Sequence, residues 1–419
     1  MKKINTYLLA FLLTLATIQV KAQMTSDVVS IGAGYTNQAF YSMSNGELSN
    51  ITHTDWDIAF QIRGFAASIL INSKNNVRLW NAGKAISQWS SMTVADTTSI
   101  LSDPAYELFN SDTSWDYGAF NRTNDTSNQF DLGWGTYDFI THVISGDSVY
   151  FIKIGSTDYR KLKIESLTSG VYYFRYANLD GSNEIVATLT KSAFTGKFFA
   201  YYSLVNNLSI DREPVYNTWD LTFCQYLTLT PYTYKVTGVL SNDSVVVAKA
   251  YPVDPATPTP GTLPFNEEIN TIGFDWKSYD FSTNVWTIAD STVYFVRDRQ
   301  GNTWKVVFTG FDGSSTGNFY FDKGPATPTG LLENSGIRTF GIYPNPASQW
   351  VRLMLETEQS APASIAIVDI SGRQVREINT SLRSGLQSLE LDVANLPSGI
   401  YQVVVRQGSE LQVTRMVKE

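Results

Sequence analysis

Residues 54–60 read TDWDIAF, and a related heptapeptide, NTWDLTF, returns at residues 217–223. In both copies large apolar side chains alternate with small or polar ones, which is the period-2 pattern of a strand with one face in a core. An aromatic stretch precedes each copy, AFYS at residues 39–42 and FAYYS at residues 199–203. The two heptapeptides therefore predict related strands whose tryptophans, Trp56 and Trp219, lie in a core.

The segments that follow the two heptapeptides also repeat, and they do so in the same order. Tyr-Asp-Phe occurs at residues 137–139 and again at 279–281, and DSVYF at 147–151 has a counterpart in DSTVYF at 290–295. An ordered series of matches indicates an internal duplication. We therefore predict an all-β chain with two tandem related antiparallel domains, at residues 28–178 and 194–321.

Composition fits a β-rich exported protein. Aromatic residues make up 13% of the 419 residues and charged residues only 17%, which is unlike a disordered chain. The net charge of −8 argues against a general nucleic-acid binder, because such proteins need a basic surface. The single cysteine, Cys224, permits no intrachain disulfide, so the cores must hold the fold.

The first 22 residues have the features of a secretory signal peptide. Lys2 and Lys3 form the charged start, residues 7–18 the apolar stretch, and Val-Lys-Ala at 20–22 a cleavage site. Cleavage would leave Gln23 first, which offers no thiol for a lipid. No later run of 18 apolar residues follows, so we expect a soluble exported protein without a transmembrane segment.

Three segments break the strand pattern. Residues 83–133 are rich in Ser, Asp, Thr and Asn with scattered aromatics, which predicts a long surface loop with a helical turn within residues 95–109. Four prolines at residues 252–260 predict a stiff loop, because proline cannot donate to a sheet. Residues 322–339 are rich in turn formers and predict a linker.

Residues 340–419 predict a separate small domain. Short alternating strands, most of them separated by turns such as Ser371-Gly372 and Ser398-Gly399, are typical of an immunoglobulin-like β-sandwich. We expect Gly399 to occupy a turn that no side chain could adopt. An ordinary β-sandwich domain with a function unrelated to secretion is also compatible with this pattern.

This terminal region resembles the C-terminal sorting domain of type IX secretion. The resemblance rests on IYPNP at 342–346, DISGR at 369–373, LPSGIYQV at 396–403 and a basic end at Arg415 and Lys418. Its motif residues are Pro344, Asn345, Pro346, Gly372, Gly399, Tyr401 and Lys418. It implies passage through the periplasm of a Gram-negative bacterium, recognition by the type IX machinery, and removal of the domain with release or surface attachment.

The repeated domains resemble the HmuY family of haem-binding proteins. The matching segments are WDIAF at 56–60, DSVYFI at 147–152, DYRKLKI at 158–164 and GVYYFRY at 170–176. The chain departs from that family by carrying two units and no lipidated N-terminal cysteine. The resemblance implies haem as a cofactor and an outer-membrane haem receptor as a partner.

Haem needs an axial His, Met, Cys or Tyr in an apolar slot, with basic residues near the propionates. The resemblance implies a His or Met pair, and the chain has only two histidines, His53 and His142, both in the first predicted domain. Arg160, Lys161 and Lys163 are the candidate propionate partners, whereas Met43 and Met92 are expected in core or loop positions. The second domain offers only Cys224 or a tyrosine. An exposed turn is the alternative for either histidine.

The sequence predicts no enzyme. No Ser-His-Asp or Cys-His arrangement and no zinc cluster can be traced with two histidines and one cysteine. Asp55 and Asp57 are expected on the solvated face of their strand. Besides haem binding, two hypotheses stay open: a surface adhesin or glycan-binding protein that uses the aromatics of residues 83–133 as a stacking platform, and a structural surface-layer component.

Overall fold

The computed structural model describes residues 24–256, 260–326, 337–357, 359–369, 372–408 and 410–419, with backbone alone at 338–340. Within these ranges the chain is an all-β protein whose strand pairs are antiparallel, which confirms the predicted fold class. The one α-helix among the described residues is a single turn, α1 (Thr97–Ile100). None of the helices in the described ranges is long and apolar enough to cross a bilayer.

The strands before the terminal domain, in chain order, are β1 (Thr25–Ser30), β2 (Asn37–Ser42), β3 (Gly46–Thr52), β4 (Ile58–Gln61), β5 (Ile69–Ile71), β6 (Arg78–Ala85), β7 (Glu107–Leu108), β8 (Gly135–Asp138), β9 (Val143–Gly146), β10 (Ser148–Ile154), β11 (Asp158–Thr168), β12 (Val171–Asn178), β13 (Ile185–Thr190), β14 (Phe199–Ser203), β15 (Leu208–Ile210), β16 (Leu221–Thr228), β17 (Tyr234–Ser241), β18 (Val246–Ala250), β19 (Lys277–Asp280), β20 (Val285–Ile288), β21 (Val293–Arg297), β22 (Thr303–Phe311) and β23 (Asn318–Pro325). Short 3₁₀ turns lie at Ala33–Tyr35, Ser73–Asn75, Ile86–Ser91, Val94–Asp96, Pro104–Tyr106, Ala119–Asn121, Lys191–Phe194 and Gly313–Ser315.

These strands form two units, each with a large sheet and a four-stranded sheet around its own core. The first unit consists of β4–β15, with sheet orders β13-β12-β11-β10-β6-β7 and β15-β14-β4-β5; the hairpin β8–β9 joins the larger sheet through β11. The second unit consists of β1–β3 and β16–β23, with sheet orders β1-β23-β22-β21-β18 and β17-β16-β2-β3, and a separate hairpin β19–β20.

The sheets do not coincide with the predicted domains at residues 28–178 and 194–321, because each sheet system contains strands from both of these ranges. Strands β1 to β3, expected in the first domain, pair with the second unit: β2 lies on β16 and β1 on β23. Strands β14 and β15, expected in the second domain, complete the first unit through β4. Each of the two predicted copies places its opening strands in the other copy's sheet. The repeat pattern shows which segments are alike, and it contains no information about which copy they join.

The two heptapeptides occupy equivalent positions in this exchanged arrangement. Trp56 and Trp219, directly before β4 and β16, are both buried, as predicted. The aspartate that follows each tryptophan anchors the exchanged hairpin: Asp57 Oδ2 accepts from the Leu204 N–H at 2.7 Å, and Asp220 Oδ2 accepts from the Met43 N–H at 2.7 Å. The expectation of a solvated Asp57 is therefore wrong, because its side chain is 2% exposed.

Residues 83–133 pack against the first unit, contrary to the predicted surface loop. Trp89 joins a small core with Trp80 and Phe151, and Phe120 lies in the main core. The buried Lys161 donates from its Nζ to the Trp89 carbonyl at 3.0 Å, which holds the segment down. Helix α1 falls within the predicted range 95–109. Scattered aromatic residues of this polar segment pack into the first unit at separate places. They have no regular spacing, so a search for strand or helix periodicity does not find them.

The terminal domain is a sandwich of two antiparallel sheets over its own core. Its strands are β24 (Ile337–Tyr343), β25 (Trp350–Thr357), β26 (Ala361–Asp369), β27 (Gln374–Leu382), β28 (Gly385–Asp392), β29 (Gly399–Gln407) and β30 (Glu410–Lys418), in the orders β24-β25-β28 and β27-β26-β29-β30. The predicted linker begins inside β23, and its residues 327–336 lie outside the described ranges. The proline-rich loop carries no strand at residues 252–256, and its residues 257–259 are not described.

Candidate functional site

The two candidate haem ligands lie in different places. His53 is buried in the crossover between β3 and β4, where it lines a cavity between the two units. His142 is exposed in the turn between β8 and β9 and lines a separate pocket beside the terminal domain. The structure therefore does not bring the two histidines together, and each of them leads to a different candidate site.

The cavity beside His53 has a volume of about 80 Å³, and we call it the inter-unit cavity. It lies between the two four-stranded sheets. Its aromatic lining comes from both units: Trp56, Phe199 and Tyr201 from the first, Phe40, Trp219 and Tyr226 from the second. Trp56 packs edge-on against Tyr201 at 5.0 Å and Trp219 against Phe40 at 5.1 Å, so the wall repeats with the duplication.

Four residues that line the cavity each have a buried polar atom with no protein hydrogen-bond partner within the described residues. These atoms are Nδ1 of His53, Nε1 of Trp56, Nε1 of Trp219 and the hydroxyl of Tyr226. Leaving one such group unsatisfied costs about 1–3 kcal/mol, so buried polar groups in native proteins are normally bonded. Four of them around one cavity indicate that it is a place where polar atoms are bound.

Charged groups surround the inter-unit cavity in engaged pairs. The Arg212 guanidinium donates to Gln38 Oε1 and to the Thr52 carbonyl, both at 2.6 Å, and its Nε lies 3.4 Å from Asp55 Oδ1. Burial, with Arg212 and Lys74 nearby, holds the pKa of His53 well below its usual range, so the imidazole is neutral. Burial raises the pKa of Glu213, which accepts from the Tyr201 hydroxyl at 3.0 Å, to about 7.

The residues at this cavity do not fit a haem. The cavity is well below the roughly 300–1,000 Å³ typical of cofactor pockets. The three basic residues expected at the propionates are engaged elsewhere: Arg160 with Asp158 and the Leu204 carbonyl, Lys161 with the Trp89 carbonyl, and Lys163 with Glu165 at 2.9 Å.

The remaining candidate ligands do not complete a haem site. Met43 and Met92 are packed in two different cores, as expected. Cys224 is buried and lines the inter-unit cavity itself, which we did not anticipate. No cluster of three or more His, Cys, Asp or Glu side chains suited to a metal ion occurs in the part of the chain that the structure describes.

His142 lies in a β-turn, where its side chain contacts the Tyr137 hydroxyl. Its Nδ1 lies 2.6 Å from the Tyr137 hydroxyl, and its backbone is left-handed with φ of +58°. Asp138 Oδ1 accepts from the Ile140 N–H at 2.8 Å and closes the turn. We call this turn, residues 137–142, the first tip. His142 is therefore an exposed turn residue that contacts the Tyr137 side chain, which is the position that the alternative interpretation of the sequence gave it.

The second unit repeats this turn at residues 279–284, which we call the second tip. The Tyr279 hydroxyl donates to Asn284 Oδ1 at 3.1 Å, and Asn284 is left-handed with φ of +57°. Asp280 Oδ1 accepts from the Ser282 N–H at 2.8 Å, as Asp138 does in the first tip. The repeated Tyr-Asp-Phe therefore encodes one turn geometry, not the continuous strand that its apolar residues suggest.

Both tips expose the phenylalanine of this tripeptide. Phe281 is 86% exposed, and Phe139 is 44% exposed beside Ile140 at 76%. Two neighbours cover Phe139: the Phe130 ring lies 6.0 Å away, and the Arg352 guanidinium carbon of the terminal domain is 5.6 Å from the centre of the Phe139 ring. The sequence analysis missed this site, although the repeated tripeptide in a turn-rich context was the signal.

The sorting-motif residues are structural parts of the terminal sandwich. Asn345 bridges to the last strand, because its Oδ1 accepts from the Val417 N–H at 2.7 Å, and the Tyr401 hydroxyl donates to the Pro397 carbonyl at 2.8 Å. Gly372 occupies a left-handed turn with φ of +84°. Gly399 does not: a Cβ there would make only an ordinary 3.7 Å contact, so the expected need for glycine is wrong.

Comparisons with known proteins identify one region of the chain. Residues 341–419 match the family model described as a secretion system C-terminal sorting domain. None of the curated proteins matches the chain. The chain therefore ends in a sorting domain of the type IX kind, which supports an exported protein at the cell surface or beyond it.

Two solved structures show a distant likeness. Dimeric latent PorU from Porphyromonas gingivalis is 9% identical with a TM-score of 0.18, and the alignment covers 66% of this chain and 26% of that one, about a quarter of its length. The BSP domain of a biofilm associated protein is 10% identical with a TM-score of 0.16, over 92% of this chain and 82% of that one. At these TM-scores neither likeness carries an argument about fold or function.

Proposed function

We propose that this chain, which carries a secretion sorting domain at residues 341–419, is a surface-delivered binding protein of the adhesin class and not an enzyme. The observation that carries the proposal is the repeated tip. Two units that differ in much of their sequence both present a phenylalanine on the same closed turn. A single exposed apolar residue is common in soluble proteins, so it is the recurrence of the exposed phenylalanine on the same turn that favours a contact role.

The two tips are built to keep a fixed shape while their phenylalanines face solvent. In each, an aspartate satisfies the turn backbone and a tyrosine hydroxyl is clasped by the left-handed residue, so the ring is presented on a rigid support. Rigid aromatic side chains lose little conformational entropy on binding, which favours them as anchors in interfaces. The tips thus have the properties of two equivalent contact points.

The contact at the first tip suggests the chemistry of the partner. There an arginine of the terminal domain, Arg352, lies over the Phe139 ring, and Tyr343 packs on the neighbouring Phe130 at 5.2 Å. Arginine over an aromatic face is a favourable cation–π contact. The second tip offers the same ring without such cover, so the partner that fits it is a protein surface that presents arginine beside aromatic residues.

An attachment assay tests this proposal. Bacteria that export the full chain through a type IX system are allowed to attach to a surface coated with arginine-rich histone, with an albumin coat as reference. We expect Phe281→Ala to lower attachment to histone about tenfold, the loss of one interface anchor. The matched control is Tyr251→Ala, which removes an aromatic ring of 65% exposure away from both tips. Equal attachment of the two variants would contradict the proposal.

Haem binding is the competing candidate, and one observation favours it: Nδ1 of His53 is buried and has no hydrogen-bond partner among the residues that the structure describes. A haemin titration of the mature chain, recorded at the Soret band, separates the candidates. Because the cavity is small, we expect no shifted band at tens of micromolar haemin. A sharp band that disappears in His53→Ala but persists in His142→Ala would replace the adhesin proposal with a haem site at His53.

A further inference from the structure

The inter-unit cavity supports a second inference, which is independent of the surface tips. We propose that it is a binding site for a small carboxylate of about five non-hydrogen atoms, held between the two units by the indole N–H groups of Trp56 and Trp219 and by the Tyr226 hydroxyl. No part of the adhesin proposal depends on this site.

The size of the cavity sets the size of the ligand. At about 80 Å³ it holds about five water-sized groups. Aromatic and aliphatic side chains together make up more than half of its lining, which suits the hydrocarbon part of a small organic molecule better than a bare inorganic ion. Acetate and propionate have the right number of atoms.

The unpartnered atoms set the chemistry of the ligand. An indole N–H can only donate, and the Tyr226 hydroxyl and a neutral imidazole nitrogen can donate as well. The ligand must therefore be an acceptor. Trp56 and Trp219 come from equivalent positions in the two copies, and a carboxylate supplies two equivalent acceptor oxygens.

The charges near the cavity are compatible with an anion. Lys74 is part of the lining, and Arg212 lies over the Tyr201 ring at 4.9 Å. The two acidic groups of the lining already accept hydrogen bonds: Glu213 from the Phe199 N–H at 2.9 Å and from Tyr201, and Asp112 from the Leu229 N–H at 3.1 Å. The lining groups that have no partner within the described residues are therefore groups that can donate a hydrogen bond.

The site joins the two units. Its donors belong to both of them, so a bound carboxylate would add to the hydrogen bonds that already join the units, such as those from Arg212 to Gln38 Oε1 and from the Leu229 N–H to Asp112. A ligand that binds only the folded state raises its stability by mass action. The melting temperature of the two units should therefore rise as the ligand concentration, and with it the occupancy of the cavity, is raised.

The experiment uses the full mature chain and sodium acetate and propionate as probes, with sodium chloride at the same ionic strength as reference. We expect a saturable rise in melting temperature and a saturable change in tryptophan fluorescence. Tyr226→Phe removes one oxygen without changing the shape of the ring and should weaken both responses at least threefold. The matched control, Tyr234→Phe, alters a tyrosine on the next strand outside the cavity and should respond like the natural chain.

Labelling of the single cysteine provides an independent readout. Cys224 lines the cavity and is buried, so a thiol reagent reaches it only when the site opens. Acetate should slow this labelling in the natural chain and in Tyr234→Phe, and much less in Tyr226→Phe. Absence of any saturable response to either carboxylate would show that the cavity holds ordered water only and would overturn the proposal. So would an undiminished response in Tyr226→Phe.

Discussion

Replacement of Asn242 by alanine should strongly destabilise the two units, because one buried amide holds the approach to the central strand of the second unit. Its Nδ2 donates to the carbonyls of Tyr216 and Trp219, both at 2.7 Å, and its Oδ1 accepts from the Asp243 N–H at 2.7 Å. Asn72 does the same in the first unit, where its Nδ2 donates to the carbonyls of His53 and Trp56.

The magnitude follows from these contacts. Three hydrogen bonds at about 1 kcal/mol each are lost, and the buried Trp219 carbonyl loses the donor that Asn242 supplies, so we expect the free energy of unfolding to fall by about 3–5 kcal/mol in Asn242→Ala. Asn242→Asp should be worse than alanine at neutral pH, because a carboxylate would face both carbonyl oxygens and cannot donate. Protonation at low pH should restore part of that loss.

Denaturant unfolding of the full chain, followed by tryptophan fluorescence, measures the effect. All tryptophans except Trp350 lie in the two units, so the signal reports on them. The control is Asn75→Ala, which removes one long, exposed hydrogen bond to the Thr54 carbonyl and should cost under about 1 kcal/mol. A cost below about 1 kcal/mol for Asn242→Ala, or an aspartate variant as stable as alanine at pH 7, would refute the reasoning.

Four further outcomes are expected. Trp219→Ala should lower the free energy of unfolding by about 3–5 kcal/mol in the same assay, as for other large buried aromatics. Glu213 has its pKa raised from 4.5 to about 7, so its contribution is fully present below pH 4.5 and falls by about 3 kcal/mol as the pH rises through 7; Glu213→Gln should remove this slope in unfolding measured across pH. The two units should unfold in one transition by hydrogen exchange, because they meet around the inter-unit cavity and Arg212 of the first unit donates to Gln38 of the second; two separable transitions would contradict this. Fractionation of a native host should yield a product that begins at Gln23 and lacks the terminal domain, whereas full-length protein retained in the cytoplasm would not fit.

The strands and the duplication were predictable because both are local. Alternation around Trp56 and Trp219 reflects the pleat of a strand, and the repeated order of segments reflects common ancestry of the copies. The pairing was not predictable. Strands β2 and β14 are similar enough to suit either partner, β4 or β16, and only the closure of the whole chain decides between them.

The candidate sites were harder to predict than the fold. His53 lies between two threonines and looks like an exposed turn residue; its burial depends on Arg212 and on the units' contact, far away in the chain. The unpartnered hydroxyl of Tyr226 has no counterpart in any sequence pattern. The tips could have been found, because a turn-forming aspartate next to a phenylalanine recurs in both copies.

The exchanged strands have a consequence for how the protein is made. Strand β1 pairs with β23, and Thr25 hydrogen-bonds to Lys323, which is 298 residues later. At a synthesis rate of about 5–20 residues per second, the first strand waits roughly 15–60 seconds for its partner to be produced. The first unit is continuous in the chain and can fold meanwhile. The earliest-made segment is thus the last to be enclosed, so a chain interrupted before residue 318 leaves its own beginning unpaired.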